Sequence, residues 1–401
     1  MKILIAIKDM YMGGVQKACI SFTDFLISRG IEVDLAVFNR NCELLEHINP
    51  KINLVDCNKS LLEISVSQGD SKKYGKIFHL KRTLKAIKCK LFNNKKILKK
   101  ALKSQEFLEK DYDIAIAFQS SLGLKSLTVG CSEFVLEKTK AKEKWCFVHG
   151  DYGRCGLNEP YANSLFEQFD KIICVSRSCA DGMKEIAPAL AEKVDYIYNI
   201  VNAEEVIQKS KEQNIEYDKS RMNFVTVARL SEEKGHLRLL QQLKRLKDED
   251  FSFYYTIVGD GKERSVIEDF IDANEMGDYV HVVGNKINPY PYVKSADLFI
   301  LPSHHEAYGI VLIEAMILGV PVLSTETCSA KEVVKDLGFV CENSDEGLYA
   351  KLKEILMDKV ELQDIKEKLA KYKYSTQDIE DKFKELTADI NKSVLNDSIS
   401  G

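Results

Sequence analysis

The chain has 401 residues, 45% of them hydrophobic and 29% charged, which suits two or three domains of ordinary size with substantial cores. Its net charge of −4 argues against a general nucleic-acid binder. The eleven cysteines are scattered, with no C-x-x-C pair and no zinc-type spacing, which speaks against a disulfide scaffold and fits a reducing cytosol.

The opening run MKILIAIKDM is too short for a signal peptide, and no stretch approaches the apolar length of a membrane span. Residues 2–7 read as a strand, 8–14 as a loop ending in Gly13-Gly14, 15–29 as a helix stopped by Gly30, and 32–38 as the next strand. Glycines between a strand and a helix let backbone approach a phosphate at the helix start; they also serve a plain tight turn. Further strands at 53–56, 113–118, 144–149, 171–176 and 195–200 alternate with helices or loops, the pattern of a doubly wound parallel sheet. His149 ends one of these strands, ahead of Gly150-Asp151-Tyr152-Gly153. There it can hydrogen-bond a sugar hydroxyl, stabilise developing charge, or tether a loop.

Residues 72–103 carry Lys72, Lys73, Lys76, Lys81, Arg82, Lys85, Lys88, Lys90, Lys95, Lys96, Lys99, Lys100 and Lys103, and no acid. The apolar residues Ile77, Leu80, Leu84, Ile87, Leu91, Leu98 and Leu102 follow helical spacing. Such a segment suits an anionic membrane surface, or a helix packed on its domain with one solvated face.

Residues 203–220 are polar and read as an interdomain connection. A strand at 222–228 leads into Arg229-Leu-Ser-Glu-Glu-Lys234-Gly235-His236, where two cations beyond a strand end can clamp a diphosphate. Strand 253–258 runs into Gly259-Asp260-Gly261, and strand 280–283 into Gly284-Asn285-Lys286. Strand 298–301, loop 303–308, helix 309–318 and strand 320–324 form one βαβ unit. Glu306 lies in its loop and Glu314 inside its apolar helix. A desolvated carboxylate needs partners, and the free N–H groups of the helix start suit a phosphate. The plain alternative makes Glu306 a loop acid and Glu314 a surface helix residue. Residues 375–393 read as a last helix with Ser375 as N-cap, and 396–401 as a frayed end.

Glu306 and Glu314 stand at an E-x7-E spacing, and the stretch AYGIVLIEAMILGVPVLST with the preceding Arg229…Lys234 pair resembles glycosyltransferase family 4, the retaining enzymes of the GT-B fold. The resemblance implies an α/β protein of two Rossmann-like doubly wound domains facing across a cleft. Residues 1–202, with the basic insertion 72–103 and a completing helix at 375–395, would bind the acceptor; residues 203–374 would bind the nucleotide sugar. Glu306 would lie by the donor sugar, Glu314 on the ribose hydroxyls, and Arg229 and Lys234 on the leaving diphosphate. His149 would stand near the donor sugar, Gly14 in the amino-terminal glycine loop, and Asn285 and Lys286 at the base. Gly259, Ala307, Tyr308, Gly309, Ile310 and Val311 complete the implied donor site. The expected reaction moves a sugar from a UDP sugar to a glycan or lipid-linked acceptor in cell-surface polysaccharide synthesis. It would use neither metal nor cofactor, on the cytoplasmic face of a membrane.

Three departures stand out. Glu306-Ala307-Tyr308-Gly309 replaces Glu-Gly-Phe-Gly, Gln16 stands where many members carry an acid, and Cys328-Ser329-Ala330-Lys331-Glu332 replaces Ser-Gly-Pro-basic-Glu. A GT-B epimerase or hydrolase and a non-catalytic sugar-nucleotide binder are the alternatives. A dinucleotide-dependent dehydrogenase would need G-x-G-x-x-G after a strand, which Gly13-Gly14 does not supply. A GT-A metal site would need Asp-x-Asp after a strand; Asp111-Tyr112-Asp113 is expected before one, and Asp248-Glu249-Asp250 at a helix end.

Overall fold

Short apolar runs bounded by glycine and polar turns become strands here because each is covered on both faces by helices. The computed structural model describes residues 1–120, 125, 127, 130–154, 157 and 160–390. The chain divides into two units, one of residues 1–200 with the tail from Thr376, the other of Val201–Ser375.

The first unit holds β1 (Lys2–Asp9), β2 (Glu32–Asn39), β3 (Asn53–Val55), β4 (Leu108–Ala117), β5 (Thr139–Val148), β6 (Lys171–Cys174) and β7 (Val194–Tyr196). They form one parallel sheet in the order β3-β2-β1-β4-β5-β6-β7. Ile3, Leu4, Ile5, Ala6 and Ile7 of β1 have no exposed surface, as a central strand under helices on both sides requires. The strand order reverses between β1 and β4, whose register pairs Ile3 with Ile114. That reversal is the switch point where open α/β sheets bind ligands.

β4 and β5 begin five residues earlier than their apolar runs. Their polar beginnings pair across a register shift between Leu108 and Asp111 and are tied by Lys140–Asp111 at 2.7 Å and Lys142–Asp113 at 3.3 Å. Asp111-Tyr112-Asp113 therefore lies inside β4 rather than ahead of a strand, with the Tyr112 hydroxyl donating to Asp34. The basic segment folds as two helices, Lys76–Leu91 and Lys95–Lys103, broken at buried Asn94.

The last helix, Gln377–Leu386, returns to the first unit. Phe383 packs edge-on against Phe25 at 5.8 Å and Phe22 at 6.2 Å, and Lys382 pairs with Asp195 at 2.8 Å. Its N-cap is Thr376, not Ser375, and no side chain caps it. Residues 391–395 of the expected helix and the expected frayed end 396–401 lie outside the described residues.

The second unit holds β8 (Met222–Val227), β9 (Phe253–Val258), β10 (Val280–Gly284), β11 (Leu298–Leu301), β12 (Val322–Thr325) and β13 (Gly338–Cys341), all parallel, in the order β10-β9-β8-β11-β12-β13. Its switch point falls between β8 and β11. The polar stretch 203–220 is more than a connection. Ala203–Lys209 is a helix, because Asn202 accepts from the Glu205 amide and Glu204 and Glu205 favour the positive end. Among the described residues, no helix is long and apolar enough to cross a membrane.

Candidate active site

The carboxyl ends of β8 and β11 carry the loops 228–235 and 302–309. Two backbone features lock them together. The His304 amide donates to the Glu233 carbonyl at 2.9 Å. Gly235 has φ +68°, and a Cβ there would sit 2.2 Å from the Pro302 carbonyl oxygen, so a side chain is excluded. The consequence is an ion pair: Lys234 Nζ lies 2.6 Å from Glu306 Oε2, each side chain 17% exposed. Such a half-desolvated pair is stronger than a surface one.

Arg229, expected beside Lys234, points elsewhere. Its guanidinium lies 3.3 Å from Glu233 Oε1 and its side chain is 73% exposed. Its carbonyl is bonded to His236 Nε2 at 3.0 Å. Burial lowers the His236 pKa to about 4, against the opposing pull of that backbone bond, so this ring is neutral at pH 7.

Glu314 sits in the middle of the helix Ile310–Ile317, which Gly309 opens at φ +73°. It is 6% exposed, so it is not a surface residue. The hydroxyl of Tyr290 donates to its Oε1 at 2.8 Å. Burial first, and the Glu314 charge second, push the Tyr290 phenol far above its usual range, which keeps it a donor. The first-turn amides of Ile310 and Val311 have no partner within their own helix by construction, and both residues are partly exposed. Tyr308 is buried and Ala307 half-buried on the way in. The sequence reading missed Tyr290, because nothing in a 24-residue separation links it to Glu314.

The remaining donor assignments fare unevenly. Asn285 is exposed, and Lys286 Nζ lies 6.0 Å from the centre of the Tyr292 ring. Gly259 also has a packing reason: a Cβ there would stand 1.9 Å from the Ala228 carbonyl oxygen. Lys331, in the short helix Ala330–Val334 after β12, pairs with Glu326 at 2.5 Å.

The first unit's switch point has another character. His149 follows β5, with its ring 4.7 Å from Phe118 and 5.9 Å from Phe147. Burial lowers its pKa to about 4, opposed by a backbone hydrogen bond to Phe118. Nε2 is shielded and has no protein partner, so the bond to the Phe118 carbonyl runs from Nδ1–H and leaves Nε2 as a lone-pair acceptor. Gly14 opens the helix Gly14–Ser28, and nothing lies within 4 Å of a Cβ built on it. Gln16, which stands in place of an acid, donates to Asp9 Oδ1 at 2.9 Å, so a carboxylate is supplied from the end of β1. Beside it the Tyr74 hydroxyl donates to Asn39 Oδ1 at 2.6 Å, and Asn39 Nδ2 donates to the Tyr11 hydroxyl at 3.2 Å. Burial raises Tyr11 to about 12. Asp9, Tyr11, Asn39 and Tyr74 carry no motif. Among the described residues, no group of three or more His, Cys, Asp or Glu is placed to hold a metal ion.

Comparison with known proteins gives this geometry a context. The 2-deoxystreptamine N-acetyl-D-glucosaminyltransferase of Niallia circulans is 33% identical over 130 residues, 30% of this chain and 33% of that protein. The O-antigen biosynthesis glycosyltransferase WclY of Escherichia coli is 26% identical over 167 residues, 40% of this chain and 45% of that protein. The chain thus spans less than half the length of these curated relatives. A crystal structure of S. aureus TarM, in complex with fondaparinux, alpha-GlcNAc-glycerol and UDP, superposes with a TM-score of 0.67 over 96% of this chain and 99% of that one, at 13% identity. The fold is accordingly that of the GT-B glycosyltransferases, two parallel-sheet Rossmann-like units of seven and six strands. Residues 206–376 match the family of glycosyl transferases group 1.

Proposed function

We propose that the protein is a retaining glycosyltransferase that moves a sugar from a UDP sugar to a glycan or lipid-linked acceptor in cell-surface polysaccharide synthesis. The observation that carries this reading is the Lys234–Glu306 pair at the β8/β11 switch point, with Tyr290-held Glu314 eight residues further on. UDP in the TarM complex and the O-antigen role of WclY support the choice of nucleotide and pathway class.

In this reading the diphosphate draws Lys234 away from Glu306, because two phosphate charges outbid one carboxylate. Lys234, the exposed Arg229 and the amides of Ile310 and Val311 then stabilise the leaving charge without a divalent ion. Glu306, released, orients the donor sugar and stabilises positive charge developing at its anomeric carbon. Glu314 accepts from the ribose hydroxyls. The departing diphosphate takes the acceptor's proton. The enzyme works from the cytoplasm, lying on an anionic membrane through residues 72–103.

Calorimetry with UDP and with UDP sugars in the presence of a chelator tests the reading. Binding that survives chelation is expected. Loss of binding on chelation sinks the metal-free mechanism, and absence of any nucleotide binding sinks the function. Anomeric analysis of the product then tests retention.

A further inference from the structure

The helix Lys76–Leu91 packs inside out. Its buried residues are Phe78, Arg82 and Cys89. Its long apolar side chains face outward: Ile77 is 74% exposed, Leu80 60%, Leu84 51%, Ile87 49% and Leu91 71%, with Phe92 at 77% just beyond the last turn. At about 100° per residue, positions 77, 80, 84, 87 and 91 fall within roughly 80° of arc, directly opposite the buried face. Exposed Lys76 flanks this stripe on one side and exposed Lys81 and Lys88 on the other.

The inward face is held by polar bonds that a sliding or misplaced helix would not make. Arg82 donates to the Val66 carbonyl at 2.8 Å and to Gln68 Oε1 at 2.7 Å, Ser71 Oγ bonds His79 Nδ1 at 2.7 Å, and Lys85 pairs with Glu63. Burying an arginine while exposing five aliphatic residues is the reverse of what water favours. The next helix, Lys95–Lys103, packs the ordinary way, with Leu98, Ala101 and Leu102 buried and its five lysines outward.

We propose that Lys76–Leu91 is an interfacial helix whose apolar stripe enters the acyl boundary of an anionic bilayer, while Lys95–Lys103 supplies attraction by charge alone. The occupant follows from charge complementarity: residues 72–103 contain thirteen cations and no acid, and an apolar stripe between lysines matches the depth profile of a lipid surface. The Tyr74 ring stacks on Phe78 at 4.9 Å, and its hydroxyl bonds Asn39 at the carboxyl end of β2. The helix is thereby tied to the carboxyl edge of the first sheet. This deepens the proposed function by making the acceptor membrane-held. It rests on that reading for its purpose, while the lipid contact itself is measurable without donor or acceptor.

The test is flotation of the full chain with vesicles of phosphatidylcholine alone or mixed with phosphatidylglycerol, at low and high salt. The wild type is expected to float with the anionic vesicles and to retain part of that binding at high salt, where charge attraction is screened. The triple variant Leu80→Ser/Leu84→Ser/Ile87→Ser alters only exposed positions. It is expected to bind anionic vesicles at least tenfold more weakly and to lose its salt-resistant part. Reversal of Lys95, Lys96, Lys99 and Lys100 to Glu is expected to remove the salt-sensitive part. Since the single native tryptophan, Trp145, is fully buried, a Leu84→Trp reporter reads insertion directly by quenching with brominated acyl chains. Equal flotation of wild type and triple variant, or no quenching of Trp at 84, overturns the proposal. So does a concentration-dependent dimer that the triple variant abolishes in the absence of lipid binding. Flotation without nucleotide binding leaves this inference standing and removes the enzymatic one.

Discussion

The two sheets present different chemistry at their carboxyl ends. Beyond β8 and β11 stand full charges, Lys234 against Glu306 and the buried Glu314 carboxylate, with Arg229 exposed nearby. Beyond β1, β2, β4 and β5 neutral groups stand among surface ion pairs: an imidazole kept uncharged by burial, the Tyr11–Asn39–Tyr74 chain, Asp9 bonded to Gln16 and to Lys8, Arg40 with Asp56, and Arg154 with Asp151. A parallel sheet offers the same kind of edge in both cases. In the proposed function the β8/β11 edge takes phosphates and ribose hydroxyls, and the first sheet's edge takes the acceptor's hydroxyls. Under that proposal a handful of side chains gives the same fold two recognition tasks.

The strongest way to break this contrast is Glu306→Ala. Loss of a group that acts on the developing charge is expected to lower turnover by about 10²–10³-fold with UDP affinity nearly unchanged. Steady-state rates alongside calorimetry check it. A wild-type rate would reduce Glu306 to a mere partner of Lys234.

Acid pH attacks the one property the two edges share, a neutral histidine. His149 in the first unit and His236 in the second both have folded pKa values of about 4. The unfolded chain protonates them near the ordinary value of about 6.5, so between the two values the unfolded state binds more protons and stability falls as pH falls. Each ring then costs up to about 3 kcal/mol by pH 4. Denaturant titrations across that window should show the loss. His236→Gln should flatten the profile of the second unit and leave the first unit's slope intact.

Glu314→Ala sharpens the contrast from the binding side. A charged hydrogen bond lost to ribose is worth about 1.5–3 kcal/mol, so UDP should bind about ten- to a hundredfold more weakly while the rate at saturating donor changes little. Unchanged affinity would return Glu314 to a structural role.

The smallest expected effect belongs to Tyr290→Phe. Removing one donor from a buried carboxylate costs about 1 kcal/mol, or roughly fivefold in UDP affinity, with turnover retained. The fully active, normally binding variant would mean that other neighbours hold Glu314 in place.

The alternation of apolar runs with helical patterns already specified two parallel α/β units, because a strand buried on both faces must be continuously apolar. It fixed β9 and β11 to the residue, but it placed β4 and β5 too late, since their first halves are polar and held by pairs across strands. Glu306, Lys234 and Glu314 were legible as chemistry, because each is an ionisable group in a strand-end loop or an apolar helix. Their union was not. Lys234 and Glu306 are 72 positions apart and meet because Gly235 alone tolerates the Pro302 carbonyl; Tyr290 reaches Glu314 across 24. Helical spacing likewise marked Ile77, Leu80, Leu84, Ile87 and Leu91 as one stripe but carried no information on its direction. Periodicity records which residues share a face, while the face that turns inward is chosen by what the rest of the chain offers it. Here that was a carbonyl and an amide for Arg82, and for the stripe nothing but the outside.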